Sequence, residues 1–158
     1  MRVEEARNYL QEQAGGRQAV SCPCCKQLVK IYHRPFNAQM ARGLIWLVRE
    51  FMKTRTWIHV PSEAPGWLVQ SRELPKVRYW DLAKSRENDD PEKRTSGYWK
   101  PTRRGASLVL RGDKIPKIVK IYNNKVLGFT GDLIDIQQAL KEKFNYETLM
   151  ETTKGTEL

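Results

Sequence analysis

The three cysteines of the chain lie together, at positions 22, 24 and 25. Cys22 and Cys25 have the C-x-x-C spacing that lets two thiolates reach one tetrahedral Zn²⁺, with zinc–sulfur distances of about 2.3 Å. His33 is a candidate third ligand and His59 a more distant fourth, while Cys24 can replace a neighbouring cysteine. The sequence therefore predicts zinc as a candidate cofactor, held by Cys22, Cys25 and His33, and no other cofactor.

Other interpretations of this cysteine turn remain open. The sequence has no second C-x-x-C pair, which a zinc ribbon would need, so the turn can be a degenerate form held by packing alone. A zinc ion shared between two chains is another alternative. A redox-active pair is disfavoured because no thioredoxin-like alternation of strands and helices surrounds it. The odd cysteine count also does not fit the disulfide framework of a secreted domain.

Motifs that would indicate an enzyme are missing from the sequence. It has no GxxxxGK[ST] phosphate loop, no GxSxG elbow, no HExxH and no GxGxxG. Cys25 and His33 could act as nucleophile and base, but no third group is present to orient them. Glu87, Asp89 and Asp90 fall in a predicted exposed loop, where carboxylates are more often solvated than bound to a catalytic metal. We therefore expect a protein without enzymatic activity.

The charge of the chain favours a polyanionic partner. Its 158 residues include 28 Lys plus Arg against 18 Asp plus Glu, which gives a formal net charge of +10. Such an excess attracts nucleic acid, although a basic protein without a polyanionic ligand is the simpler alternative. With 40% hydrophobic residues and five tryptophans, the chain can bury a core. Its N-terminal segment, MRVEEARNYLQEQAGG, has no apolar run, so we expect no signal peptide, no membrane segment and a cytoplasmic location.

Apolar spacing predicts the elements that would position these groups. A short helix is expected over 3–13, followed by the cysteine turn and a strand-like run from Leu28 to Tyr32. Residues 37–53 have the periodicity of a strongly amphipathic helix with Asn37 as its N-cap.

A second helix is predicted over 71–82, with Pro75 in its first turn. Its spacing separates an apolar side from a basic side, which a groove-facing helix needs. The apolar side has Leu74, Val77 and Trp80, and the other side has Arg72, Lys76 and Tyr79. An ordinary surface helix with a solvated basic face is the alternative.

A hairpin and a third helix are predicted next. Strands over 82–86 and 97–100 flank a polar loop over 88–96, and Thr102 is placed to cap a helix over 103–110. Beyond it, the Asn123-Asn124 pair predicts a β-hairpin with a type I′ turn, and 134–144 predicts a last amphipathic helix. The predicted regions are an N-terminal helix and cysteine segment, a central domain, a hairpin-and-helix appendage, and a flexible tail: 1–36, 37–112, 113–150 and 151–158.

The order of these elements resembles a winged helix-turn-helix domain. The runs VRYWDL at 77–82 and GYWKPTRRG at 97–105 resemble the recognition-helix end, the wing and the T-x-x-G helix of MarR-type regulators. The long flanking helices that build the MarR dimer are not evident. From the CPCC turn to the final KFNYETLM, the chain resembles a family of small, largely uncharacterised proteins of bacteriophages and bacteria. The implied fold is α+β: a winged-helix core, a preceding segment like a degenerate zinc ribbon, and a C-terminal β-hairpin plus helix.

This resemblance implies that the recognition helix enters the major groove of DNA and that the wing follows the backbone or minor groove. It therefore implies a DNA-binding regulator of a phage or bacterium, cytoplasmic in the host, which contacts duplex through helix 72–82 and wing 84–100. The candidate nucleic-acid contacts are Arg72, Lys76, Arg78 and Tyr79 in the helix, Lys84, Arg86, Lys93 and Arg94 in the wing, and Lys100, Arg103 and Arg104 beside the phosphates.

Acidic residues in the wing argue for an alternative. Glu87, Asp89, Asp90 and Glu92 would be repelled by phosphates, so the wing can face solvent or a protein instead. Winged helices also bind proteins, and a fold alone does not decide function. The alternative is a protein-interaction module of host-takeover or inhibitor type. Its contact area would come from four aromatic residues, which are favoured anchors at interfaces: Tyr79, Trp80, Tyr98 and Trp99.

Overall fold

The structure is a computed structural model, which describes residues 2–13, 19–88, 92, 96–141 and 143–151. In these residues the chain is an α+β protein with helices and three small antiparallel sheets. It divides into two compact units. The first unit combines Met1–Pro35 with Pro116–Asp132, and the second combines Phe36–Ile115 with Leu133–Leu158. No helix in the described ranges is long and apolar enough to cross a bilayer.

The first unit begins with the predicted N-terminal helix and contains two of the sheets. The helix, α1, spans Val3–Gln13. The cysteine turn connects β1 and β2, which form a two-stranded antiparallel sheet with Ser21 opposite Leu28. These strands are β1 Val20–Ser21 and β2 Leu28–Val29.

The second sheet of this unit has the order β3–β7–β8. Its strands are β3 Tyr32–Pro35, β7 Ile115–Tyr122 and β8 Lys125–Ile134. The predicted hairpin is confirmed: Asn123 and Asn124 connect β7 to β8 with φ values of 50° and 62°, as a type I′ turn requires. The predicted continuous strand 28–32 is wrong, because β2 and β3 belong to different sheets.

The second unit is built around helix α2, Ala38–Thr54, which confirms the predicted amphipathic helix. The Asn37 side chain caps it by accepting a hydrogen bond from the Met40 N–H at 2.9 Å. Almost the whole middle of the helix is buried, not one stripe alone, as expected for the central helix of a core. Helices and strands of this unit accordingly pack against α2 on several sides.

Four short elements follow α2 in the chain. They are β4 Ile58–His59, α3 Val60–Glu63, α4 Gly66–Ser71 and a 3-10 helix, Leu74–Trp80. The single predicted helix 71–82 is therefore wrong. Arg72 ends α4 in the left-handed region, with φ 55°, and Pro75 then lies in the first turn of the 3-10 helix. Because side chains three apart align on a 3-10 helix, its apolar residues form one fully buried side: Leu74, Val77 and Trp80.

The sheet of the second unit contains the predicted 82–86 and 97–100 hairpin. Its strands are β5 Ala83–Ser85 and β6 Tyr98–Pro101, and the sheet order is β4–β6–β5. Both pairings are antiparallel, with Ile58 opposite Trp99 and Lys84 opposite Lys100. β6, the last of the three strands in the sequence, is therefore the central strand of this sheet.

The helix that follows β6 confirms its predicted caps. Helix α5 spans Arg103–Arg111, the Thr102 hydroxyl accepts the Gly105 N–H at 3.1 Å, and Gly112 ends the helix with φ 72°. At Gly105, the backbone of α5 closely approaches the backbone of Leu82. A methyl group there would overlap the carbonyl oxygen of Leu82 and lie 2.9 Å from its carbonyl carbon. Only glycine fits this position.

The C-terminal segment differs from its prediction. The predicted helix 134–144 is replaced by α6 Ile136–Leu140, capped by Asp135, and α7 Tyr146–Glu151. Lys141 ends α6 with φ 56°. The Tyr146 hydroxyl donates to the Val109 carbonyl at 2.6 Å, which ties α7 to α5, and burial raises the pKa of Tyr146. The predicted appendage 113–150 is thus divided, since its hairpin groups with the first unit and its helices with the second.

Replacing Gly105 with alanine is expected to lower the free energy of unfolding by more than about 2 kcal/mol, because the methyl group would meet backbone of another segment. Gly66→Ala is the matched control. Nothing lies within 4 Å of a methyl group at Gly66, and alanine favours a helix. Urea denaturation followed by circular dichroism measures both variants, and equal stabilities would contradict the close approach at Gly105.

Candidate nucleic-acid interface and cysteine turn

Two arginines of the predicted recognition helix are exposed, although they lie on different elements. Arg72 lies at the left-handed corner after α4, and Arg78 lies on the 3-10 helix. Lys76 is half-buried, and its ammonium group forms an ion pair with Glu73 at 3.0 Å. The Arg78 guanidinium lies 4.9 Å from the ring centre of Tyr79. Of this predicted set, Arg72 and Arg78 are therefore the cations most accessible to a phosphate.

The outer face of the β4–β6–β5 sheet combines basic and aromatic side chains. Along β6, Trp99 and Pro101 are buried, so Tyr98 and Lys100 lie on the opposite face. The Arg86 guanidinium stacks 3.8 Å from the ring centre of Tyr98, which also lies 4.7 Å from the ring of His59. This face places Arg86, one of the predicted wing cations, against an aromatic ring.

Two lysines face each other on this sheet. Lys84 and Lys100 are directly opposite across β5 and β6, an arrangement in which like charges destabilise a sheet. The Lys100 ammonium lies 4.6 Å from the ring centre of Trp57, and this cation–π contact offsets part of that cost. Sequence reasoning missed Trp57 and His59 as part of this face, although their spacing of two residues is the period of a strand.

The first turn of α5 concentrates further positive charge. Arg103 and Arg104 are both exposed there, and the turn contains no acidic residue. A helix N-terminus favours negative charge, so two cations at this end are unfavourable for the protein alone. An anion such as a phosphate would interact favourably with the helix end and with both arginines.

The remaining wing residues are placed only in part. Lys93 and Arg94, together with the acidic Asp89 and Asp90, lie outside the described residues.

The aromatic anchors of the alternative function are divided between buried and partly exposed positions. Trp80 and Trp99 are only 1% and 4% exposed, so they belong to the core and supply no contact area.

The cysteine turn has a closed backbone geometry. The Cys22 N–H donates to the Gln27 carbonyl, and the Lys26 N–H donates to the Cys22 carbonyl, both at 2.8 Å. Lys26 adopts the left-handed conformation, with φ 60°. The pKa of the Cys22 thiol is lowered, chiefly because the backbone N–H groups of Cys25 and then Cys24 hydrogen-bond to its sulfur. The Cys25 side chain also hydrogen-bonds to this sulfur, so the two thiols lie close together.

The predicted third zinc ligand is not brought to this turn. Within the described residues, no three or more Cys, His, Asp or Glu side chains are grouped for metal binding. His33 lies on β3, opposite Lys120, and its Nε2 atom is buried without a hydrogen-bond partner there. His59 belongs to the second unit, where its Nδ1 atom lies 2.6 Å from the Ser62 hydroxyl. Cys22 and Cys25 are thus a pair without a histidine.

The Cys22 thiolate is expected to persist to lower pH in the folded protein than in the unfolded chain, because the turn's N–H groups stabilise its charge. A Cys24→Ser/Cys25→Ser variant leaves Cys22 as the only thiol and keeps the backbone donors. Thiolate absorbance, titrated with and without urea, measures the two midpoints. A folded-state midpoint at or above the urea value would contradict the donated hydrogen bonds.

Comparison with protein-family models, curated proteins and solved structures found no match for this chain. The residues and their geometry are therefore the basis on which a function can be proposed.

Proposed function

We propose that residues 37–112 form a winged helix-turn-helix domain that binds duplex DNA in a regulatory role. The supporting observation is the order and pairing of the elements. A helix and a strand are followed by short helices, and then by a hairpin whose second strand lies between the other two strands, in the order β4–β6–β5. In this assignment the 3-10 helix occupies the place of the recognition helix and the segment between β5 and β6 is the wing.

The charge distribution supports a polyanionic ligand. Among the described residues, Arg72, Arg103 and Arg104 have no ion-pair or hydrogen-bond partner through their side chains. The Lys84–Lys100 pair and the arginines of α5 place like charges together at a cost to stability. Phosphates would neutralise these groups, and the release of counterions from DNA would add to the affinity.

The short recognition element favours backbone contacts over base contacts. It has seven residues, three of them buried, and Arg78 is its one exposed cation in the described structure. Arginine can donate to two acceptors on a guanine edge, so Arg78 is the candidate for reading a base. The other cations are placed for phosphates, which position a protein without specifying sequence. We therefore expect steep salt dependence and a weak sequence preference.

The protein-interaction alternative loses its two largest anchors. Trp80 and Trp99 are core residues, and the ring of Tyr98 is already stacked with Arg86. Tyr79 remains half-exposed beside Arg78. A protein partner is therefore left as an outcome of the following test.

Replacing Arg72 and Arg78 together with alanine is expected to weaken binding to a random labelled duplex by about tenfold or more, because two phosphate or base contacts are lost. The slope of log affinity against log salt should fall by about two, one for each cation. Fluorescence anisotropy at low and near-physiological salt measures both quantities.

The matched control is Arg2→Ala/Arg7→Ala, which removes the same charge from exposed positions of the first unit. This control should keep most of the affinity. Equal losses in the two double variants would show that only net charge matters and would refute the proposed interface. Absence of duplex binding by the unmodified protein at low salt would refute the DNA proposal and favour a protein partner.

A further inference from the structure

The cysteine and histidine donors of the chain all lie in the part that the structure describes. The sequence has three cysteines and two histidines. Cys22 and Cys25 are the pair whose thiols hydrogen-bond to each other. His33 and His59 are on other elements and are not grouped with them in the described structure. One chain therefore offers a metal two convergent sulfur ligands.

The turn is already arranged to hold the Cys22 thiolate. Backbone N–H groups of Cys24, Cys25 and Lys26 hydrogen-bond to the Cys22 sulfur, and the closing backbone bonds fix the loop between β1 and β2. Donors of this kind orient a ligand and stabilise its negative charge. Cys25 is exposed, so its sulfur is accessible to a metal and to another molecule.

The sheet beside the turn is very short: Val29 is buried, but Leu28 on the same strand is exposed. β1 and β2 have two residues each, and an isolated two-stranded sheet is marginally stable in water. Leu28, opposite Ser21 on this sheet, is 71% exposed. A shallow surface depression of about 370 Å³ lies at the turn, lined by Tyr9, Cys22 and Pro23 among others. The surface around the cysteines thus combines an exposed apolar side chain with a concave site.

We propose that Cys22 and Cys25 bind Zn²⁺ together with the same two cysteines of a second copy of this chain. Structural zinc takes four protein ligands in a tetrahedron, and one chain supplies two. A two-fold axis through the metal would supply the same pair again. Four thiols lose four protons as one Zn²⁺ binds, which leaves a Zn(S)₄ centre with a net charge of −2. The exposed Leu28 of each copy would lie near the contact and become less exposed.

The first test uses the full chain, stripped of metal with a chelator and then titrated with Zn²⁺. The expected result is one zinc per two chains by elemental analysis, with a doubling of the mass by light scattering, both reversed by chelator. One zinc per chain without a change in mass would overturn the shared site, because a single chain would then complete the coordination. No zinc binding would overturn the proposal altogether.

Variants assign the ligands. Cys22→Ser and Cys25→Ser should each lose zinc binding and dimer formation, whereas Cys24→Ser should keep both. His33→Gln should also keep both, and loss of zinc in that variant would overturn the ligand set. Co²⁺ in place of Zn²⁺ gives an independent readout, because four thiolates produce intense sulfur-to-cobalt absorption and tetrahedral d–d bands. This experiment does not involve DNA, so its outcome is separate from that of the proposed function.

Discussion

The carbonyl group of Leu82 is the point on which the arrangement of the basic elements depends. It accepts the Thr102 N–H at 3.1 Å, and its oxygen lies where a side chain at Gly105 would be. The Thr102 hydroxyl also donates to the Asp81 carbonyl at 2.6 Å while it caps α5. This junction joins the end of the 3-10 helix, both hairpin strands and the start of α5. The backbone of these cation-bearing elements is therefore held together at one place.

Local signals explain which elements could be predicted from the sequence. Asn37 and Thr102 cap α2 and α5 with their own side chains, and Gly112 ends α5, so both helices were recognisable. The Asn123-Asn124 turn was recognisable for the same reason, since asparagine tolerates positive φ. The residues that determine these helix and turn boundaries lie within a few positions of the boundaries themselves.

The two wrong helix predictions share a physical cause. Arg72 and Lys141 end α4 and α6 in left-handed or positive-φ conformations that a side chain disfavours. Arginine and lysine do not indicate a helix end in the way that glycine or asparagine does, so the sequence did not predict these two ends. The same limit applies to the candidate site: the charge of each lysine was visible, but the Lys84–Lys100 pairing depends on strand register. The break between β2 and β3 likewise separates His33 from the cysteines despite their short distance in sequence.

The positive charges of the second unit fall into two classes with different physical roles. The Arg42 guanidinium lies 3.6 Å from the ring centre of Trp67 and 4.5 Å from that of Phe144, so it joins α2 to two other segments. Burial lowers the pKa of Arg42, and its aromatic contacts offset part of the cost of desolvation. Arg103, Arg104 and Lys84 differ from Arg42, because each is exposed and lies beside another cation at a cost to stability. A residue that costs stability in the free protein and gains a partner on binding is the kind of residue that an anion site is built from. The exposed cations are therefore an argument for the proposed DNA interface, whereas Arg42 stabilises the core.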